Sequence, residues 1–489
     1  MFGQVYESGV ALSRLGGGDK NVIFLGKRDR LHEMLKDFDN YHLVDFKSYS
    51  EWCCDDIPIS NFPVNSESLI HYSAVLSHFQ KCTPIFSRHY KEIHFFDLEL
   101  RTVSLQTLAI YEKLIEFTPF LAHMGTSGSH HLPTMMFEVA CRLLKMPQIF
   151  DVPLYDGYAL PMIQINSVDD KKPINGRPFE VIDYSSRLHS LDVNFKGELS
   201  WASYNSSFVL GTFTFVKHNV KKLLKLQFDF LKRGFEARLT SLDLRAELEV
   251  FVSHLRAVHY LKRSQRQHAR VIDSIFNSPN GVPALPLIVA HYQPESSTFP
   301  EGGRFHNHID IVSELRLRGI TGPILYKEHP MTLSVVQEGR ITRIGVARSR
   351  NYYQALTNLG CLFVSENFNV VENHSIWPIT ITGSIALERS IRGLATVILG
   401  PAWYRGLPGE IMLEDFINKF LGDNIVPKHN SRESLDFLNN VLNGRLFSLK
   451  PLLWSLRDKV GDVDIEEWNR QFLQHIFELI NEDEYFNKK

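Results

Sequence analysis

Between residues 285 and 400 the chain alternates short apolar runs with amphipathic stretches, and that alternation limits its fold more than any other feature. The runs are LPLIVAH (285–291), PILYK (323–327), CLFVS (361–365), IWPITIT (376–382) and ATVILG (395–400). Between them lie stretches with apolar residues at helical spacing: 307–318, 351–359 and 384–393. A strand that is apolar on both faces must be covered on both faces, which is the habit of parallel sheets wrapped by helices. The region therefore predicts a doubly wound α/β domain, whose ligands sit beyond the carboxyl ends of its strands.

The first half carries a looser version of the same pattern. Apolar runs at 21–26, 41–46, 92–97 and 118–122 read as strands, and 105–117 (LQTLAIYEKLIEF) as a helix. The run at 118–122 leads through HMGTSGSHHLP into MMFEVACRLLKM, a turn and an amphipathic helix with Pro133 near its first turn. Residues 217–274 are helical in pattern and basic, with 13 Lys/Arg against 6 acidic residues. A solvated face explains such a run, and so does contact with an anionic acceptor or membrane surface. The expected organisation is an α/β domain over 1–210, a basic helical segment over 211–280, a second α/β domain over 281–408 and a helical extension over 409–489. The two Rossmann-like domains are expected to face each other across a cleft.

Composition narrows the function. The net charge of -2 gives no overall field for nucleic acid. Five cysteines (Cys53, Cys54, Cys82, Cys141, Cys361) are odd in number and lack CxxC spacing, so neither a disulfide framework nor a zinc knuckle is indicated. The first twenty residues lack the basic-then-apolar order of a signal peptide, and no window approaches a membrane span. A cytoplasmic protein is the expectation. GxxxxGK[ST], HExxH and GxSxG are all missing from the sequence, which argues against P-loop NTPases, zincins and serine hydrolases of that type.

Three motifs fall where predicted strands end. The first is His291-Tyr292-Gln293-Pro294-Glu295-Ser296, the second Lys327-Glu328-His329-Pro330, the third Thr382-Gly383-Ser384 with Glu388 one helical turn on. A carboxylate fixed by a proline just after a strand can serve as acid, base or nucleophile. Lys327 and His329 leave an extended strand on the same side and can converge on one anion. Thr382, Gly383 and Ser384 at a helix start offer backbone N–H groups and hydroxyls to a phosphate. Glu388 could accept hydrogen bonds from a ribose. His306, His308, His130 and His131 suggest a metal only weakly, and no metal is expected.

The stretch 285–303 (LPLIVAHYQPESSTFPEGG), KEHP at 327–330 and TITGSIALERSIRGLATVILG at 380–400 together resemble the bacterial capsule and surface polysaccharide biosynthesis family, which includes retaining Kdo transferases. The resemblance covers about 280–405. It implies a GT-B-like glycosyltransferase that moves a 2-keto sugar acid from a CMP-activated donor to a glycan or glycolipid acceptor, with no metal cofactor. His329 would then contact the CMP phosphate beside Lys327. Thr382 and Ser384 would complete the phosphate and sugar-carboxylate pocket, and Glu388 would hold the ribose. Glu295 would be the nucleophilic carboxylate, flanked by Gln293 on the donor side, with Glu138 of the first domain as the next candidate. An inner-membrane surface or other polysaccharide-assembly proteins are further candidate partners. A UDP-sugar transferase, a 2-epimerase-like enzyme on the same scaffold and a non-catalytic assembly scaffold are the alternatives.

Overall fold

The computed structural model describes residues 22–26, 41–45, 67–81, 96–116, 123–126, 132–145, 148–153, 158–164, 172–173, 236–277, 284–291, 302–329, 348–442 and 447–448. Its contacts gather into two compact units, Met1–Tyr184 with Leu438–Lys489, and Ser185–Phe437.

In the first unit, strands β1 (Val22–Gly26) and β2 (Tyr41–Asp45) form a parallel pair. Helices α1 (Tyr72–Lys81) and α2 (Phe96–Glu116) follow, then β3 (His123–Thr126) and α3 (Leu132–Leu143). Strands β4 (Gln148–Pro153), β5 (Tyr158–Gln164) and β6 (Lys172–Pro173) complete this stretch. The second sheet of the unit runs β13 (Phe447–Ser448), β5, β4, β3, with β6 paired to β5. Pairs β3–β4 are parallel, whereas β4–β5 and β5–β13 are antiparallel. Helix α2 buries Leu100, Val103 and Leu108, together with the polar Ser104 and Thr107. Their hydroxyls donate to the carbonyls of Leu100 and Val103, so neither of these two donors is stranded.

Two expectations need correction here. The run 92–97 is not a strand at its end, because Phe96 and Asp97 already belong to α2. Leu98, Leu100 and Val103 continue the apolar pattern at helical spacing, and a short apolar run cannot by itself distinguish strand from buried helix. The antiparallel β4–β5 hairpin was not expected at all. The run 118–122 and residues 92–95 lie outside the described residues.

The second unit opens with α4 (Glu236–Phe276), a helix of 41 residues. The basic stretch is therefore helical from 236 onward, and residues 217–235 lie outside the described residues. Then come β7 (Leu285–Val289), α5 (His308–Leu317), β8 (Ile324–Lys327), α6 (Arg350–Asn358), β9 (Cys361–Phe363) and β10 (Ile376–Thr380). The chain continues through α7 (Ile385–Ser390), β11 (Thr396–Ile398), β12 (Glu410–Ile411), α8 (Leu413–Leu421) and α9 (Ser431–Leu442), whose residues from Leu438 onward belong to the first unit.

All six strands pair in parallel, in the order β12-β11-β10-β7-β8-β9. Numbered from β7, that is the 3-2-1-4-5-6 order of doubly wound nucleotide-binding sheets, read from either edge. The α/β expectation for this half of the chain holds. Leu287, Ile288, Ile324, Leu325, Ile376, Ile379 and Val397 are buried along the strands, which is why those runs carry no polar alternation. Helix α4 covers the β9 edge: Gln265 donates to the Val364 carbonyl and the Phe363 N–H donates to His268 Nδ1. Side chains thereby occupy edge groups that would otherwise invite another strand. Among the described residues no helix is long and apolar enough to cross a membrane.

Candidate functional site

In the 3-2-1-4-5-6 order the chain reverses direction across the sheet between β7 and β10, and in sheets of this order ligands sit at that point, beyond the carboxyl ends of the strands. His291 follows β7, Lys327 through His329 end and follow β8, and Thr380 through Ser384 end β10 and enter α7. These segments form one hydrogen-bonded edge.

His291 is buried and ties β7 to β10. Its Nε2 accepts from the Ile381 N–H at 3.0 Å and from the Thr380 hydroxyl at 2.9 Å. Thr380 Oγ1 in turn accepts the Gly383 N–H at 3.2 Å. With Nε2 committed as acceptor the ring is neutral, and burial, then the nearby His329 and Arg348, push its pKa down to about 3. His291 is thus a clamp on the Thr380–Ser384 turn. A side chain at Gly383 would not fit: a Cβ there would lie 2.5 Å from Thr380 Oγ1 and 3.2 Å from the His291 ring.

Across β7, the β8 end rests on a buried ion pair. Arg348 Nε donates to Glu328 Oε2 at 3.0 Å, and both side chains are 1% exposed. Glu328 Oε2 also accepts from the hydroxyls of Tyr353 at 2.9 Å and Tyr326 at 3.1 Å, while Oε1 accepts the His329 N–H at 2.8 Å. The second arm of Arg348 reaches the His291 carbonyl at 3.3 Å and His308 Nδ1 at 3.2 Å. Burial works against the Arg348 charge, but the Glu328 carboxylate and the tyrosines hold the guanidinium well above its usual range. An arginine can only donate, so His308 Nδ1 is unprotonated and its proton sits on Nε2, a buried atom with no hydrogen-bond partner among the described residues. Burial, then Arg348, keep His308 well below the usual imidazole range.

The expected site residues fall into three sets. Lys327, His329, Thr382, Gly383, Ser384 and Glu388 all sit at the carboxyl edge of the β7–β8–β10 core of this sheet. Within that edge Lys327 turns aside: its Nζ donates to the Glu366 and Phe368 carbonyls, and burial lowers its pKa to about 8. His329 is half-buried, and burial pulls it to about 4 against the opposing pull of Glu328. It is therefore a neutral donor near neutrality. Ser384 Oγ donates to Glu388 Oε1 at 3.1 Å, and burial raises the Glu388 carboxyl above its usual range. Helix α7 has six residues, so its dipole is small, and the turn already commits the Ile381 and Gly383 N–H groups internally. Gln293 and Glu295 form the second set and lie outside the described residues. Glu138 lies on α3 in the first unit, and its side chain is outside the described residues.

Arg348, Glu328, His308 and His291 organise this edge; from the sequence Arg348, Glu328 and His291 carry no expected role, and His308 is only a weak metal candidate. Glu328 was within reach of it: alternation along Tyr326–Lys327–Glu328 puts Glu328 on the Tyr326 side, opposite Lys327. Arg348 had no such signal, since it reaches the site from beyond residues 330–347. Among the described residues no cluster of three or more His, Cys, Asp or Glu could hold a metal ion. Comparison with protein-family models, curated proteins and solved structures found no match to this chain.

Proposed function

We propose that this protein is a glycosyltransferase that moves a 2-keto sugar acid from a CMP-activated donor to a growing surface glycan. The observation that carries the reading is the edge at the β7–β10 switch point, where His329 stands on the buried Glu328–Arg348 pair and His291 pins the neighbouring turn. A phosphate bound there would meet the neutral His329 imidazole as a hydrogen-bond donor, and the Lys327 ammonium, held on the Glu366 and Phe368 carbonyls, would act on it through its charge. Departure of CMP develops charge on a single phosphate, which two such groups can stabilise. The Ser384–Glu388 pair offers a hydroxyl and a carboxyl to the ribose. Glu295 is the proposed nucleophile: it would attack the anomeric carbon as the bond to phosphate breaks, and the acceptor hydroxyl would then displace the carboxylate, giving its proton to the departing CMP phosphate.

The test is thermal stability in the presence of CMP, UMP, UDP or GDP, followed by turnover of a CMP-activated sugar acid. A ligand held only by the folded protein raises its melting temperature. Stabilisation by CMP above the others, lost in His329→Ala, is the expected result. Stabilisation by UDP alone would transfer the reading to a UDP-sugar enzyme, and a response to no nucleotide would remove it.

A further inference from the structure

Helix α4 has two chemically different faces. Ala257, Val258, Leu261, Ser264 and Ile272 are buried against the second sheet. On the opposite side Arg256, His259, Arg263, Arg266, Gln267 and Arg270 are exposed. His259, Lys262, Arg263, Arg266, Gln267 and Arg270 line a groove of about 670 Å³. Lys262 pairs with the Glu366 carboxylate. The arginines at 256, 263, 266 and 270 meet no carboxylate among the described residues, and Asp273 is the acid among the described side chains of this helix. Burial, then the neighbouring Arg266, lower the Lys262 ammonium below its usual range. Gathering cations this way without counter-charges opposes itself unless an anion joins them.

Steps of four, three and four residues set His259, Arg263, Arg266 and Arg270 in one line, about one per helical turn of ~5.4 Å. Such a row suits a ligand with repeated anionic groups, and guanidinium forks suit planar carboxylates. We propose that this groove binds an anionic oligosaccharide, with its carboxylates on Arg263, Arg266 and Arg270 and its hydroxyls on His259 and Gln267. The choice of carbohydrate rests on the transferase reading, whose product gains one carboxylate with each sugar acid added.

The experiment uses the full chain and a fluorescently labelled α2,8-linked sialic acid hexamer, with neutral maltohexaose and phosphatidylglycerol vesicles as the other probes. The hexamer should bind, maltohexaose should not, and added salt should weaken the complex. The triple variant Arg263→Ala/Arg266→Ala/Arg270→Ala should bind the hexamer about tenfold more weakly or worse. All three changes are at exposed positions, so the melting temperature should not fall below that of the wild type, and its response to CMP should stay unchanged. Equal hexamer binding by wild type and variant overturns the proposal. So does vesicle binding that the variant loses while the hexamer binds neither protein. Absence of a CMP response with hexamer binding intact would instead count against the transferase reading alone.

Discussion

Glu328 accepts four hydrogen bonds and answers one buried cation, so its charge is matched only while Arg348 is present. Removing one partner of such a pair strands the other charge in a dry interior, at a cost of about 3–5 kcal/mol. Arg348→Met and Glu328→Leu should each destabilise the second unit on that scale in chemical denaturation. The double variant should lose less than either single one, because no lone charge remains buried; a loss equal to the sum would mean that the two side chains act independently. Lys327 gives a second residue-scale expectation. Its ammonium, at about 8 in the free protein, would be raised by a bound phosphate. Anion affinity should therefore be full below pH 8 and fall above it, by up to about tenfold per pH unit. Titrating CMP affinity between pH 6.5 and 9.5 checks this, and Lys327→Arg, charged throughout, should flatten the decline.

At the scale of elements, β7 to β11 were legible because each is a continuous apolar run closed by a polar or glycine signal, which is what a strand buried on both faces requires. Strand β12 escaped because two residues, Glu410 and Ile411, carry no pattern. The β4–β5 hairpin escaped because its apolar residues are interrupted by Asp151 and Pro161. The positions of Lys327, His329 and the Thr382–Ser384 turn could be read from strand ends. The network beneath them could not, since it is assembled by contacts such as Arg348 to Glu328 and His291 to Thr380, 20 and 89 residues apart. The turn after β10 depends on a missing side chain. Gly383→Ala must displace Thr380 or His291, and overpacking of this kind costs about 1–3 kcal/mol. Loss of CMP-induced stabilisation in a variant that still melts cooperatively is the expected outcome, and an unchanged CMP response would show that the turn tolerates the shift.

At the scale of the whole molecule, each unit carries a thiol in its interior. Cys141 lies within α3 of the first unit, and Cys361 begins β9 in the second; both are buried. Burial pushes the Cys361 thiol up to about 12, so almost no thiolate exists there in the native state at pH 8. An alkylating reagent can modify it only after β9 has parted from its surroundings. Each sulfur is thus a clock for the opening of the unit that encloses it. Mass spectrometry of briefly alkylated protein should read the two clocks separately. A nucleotide held at the β7–β10 edge should slow the modification of Cys361 and leave that of Cys141 at its own pace.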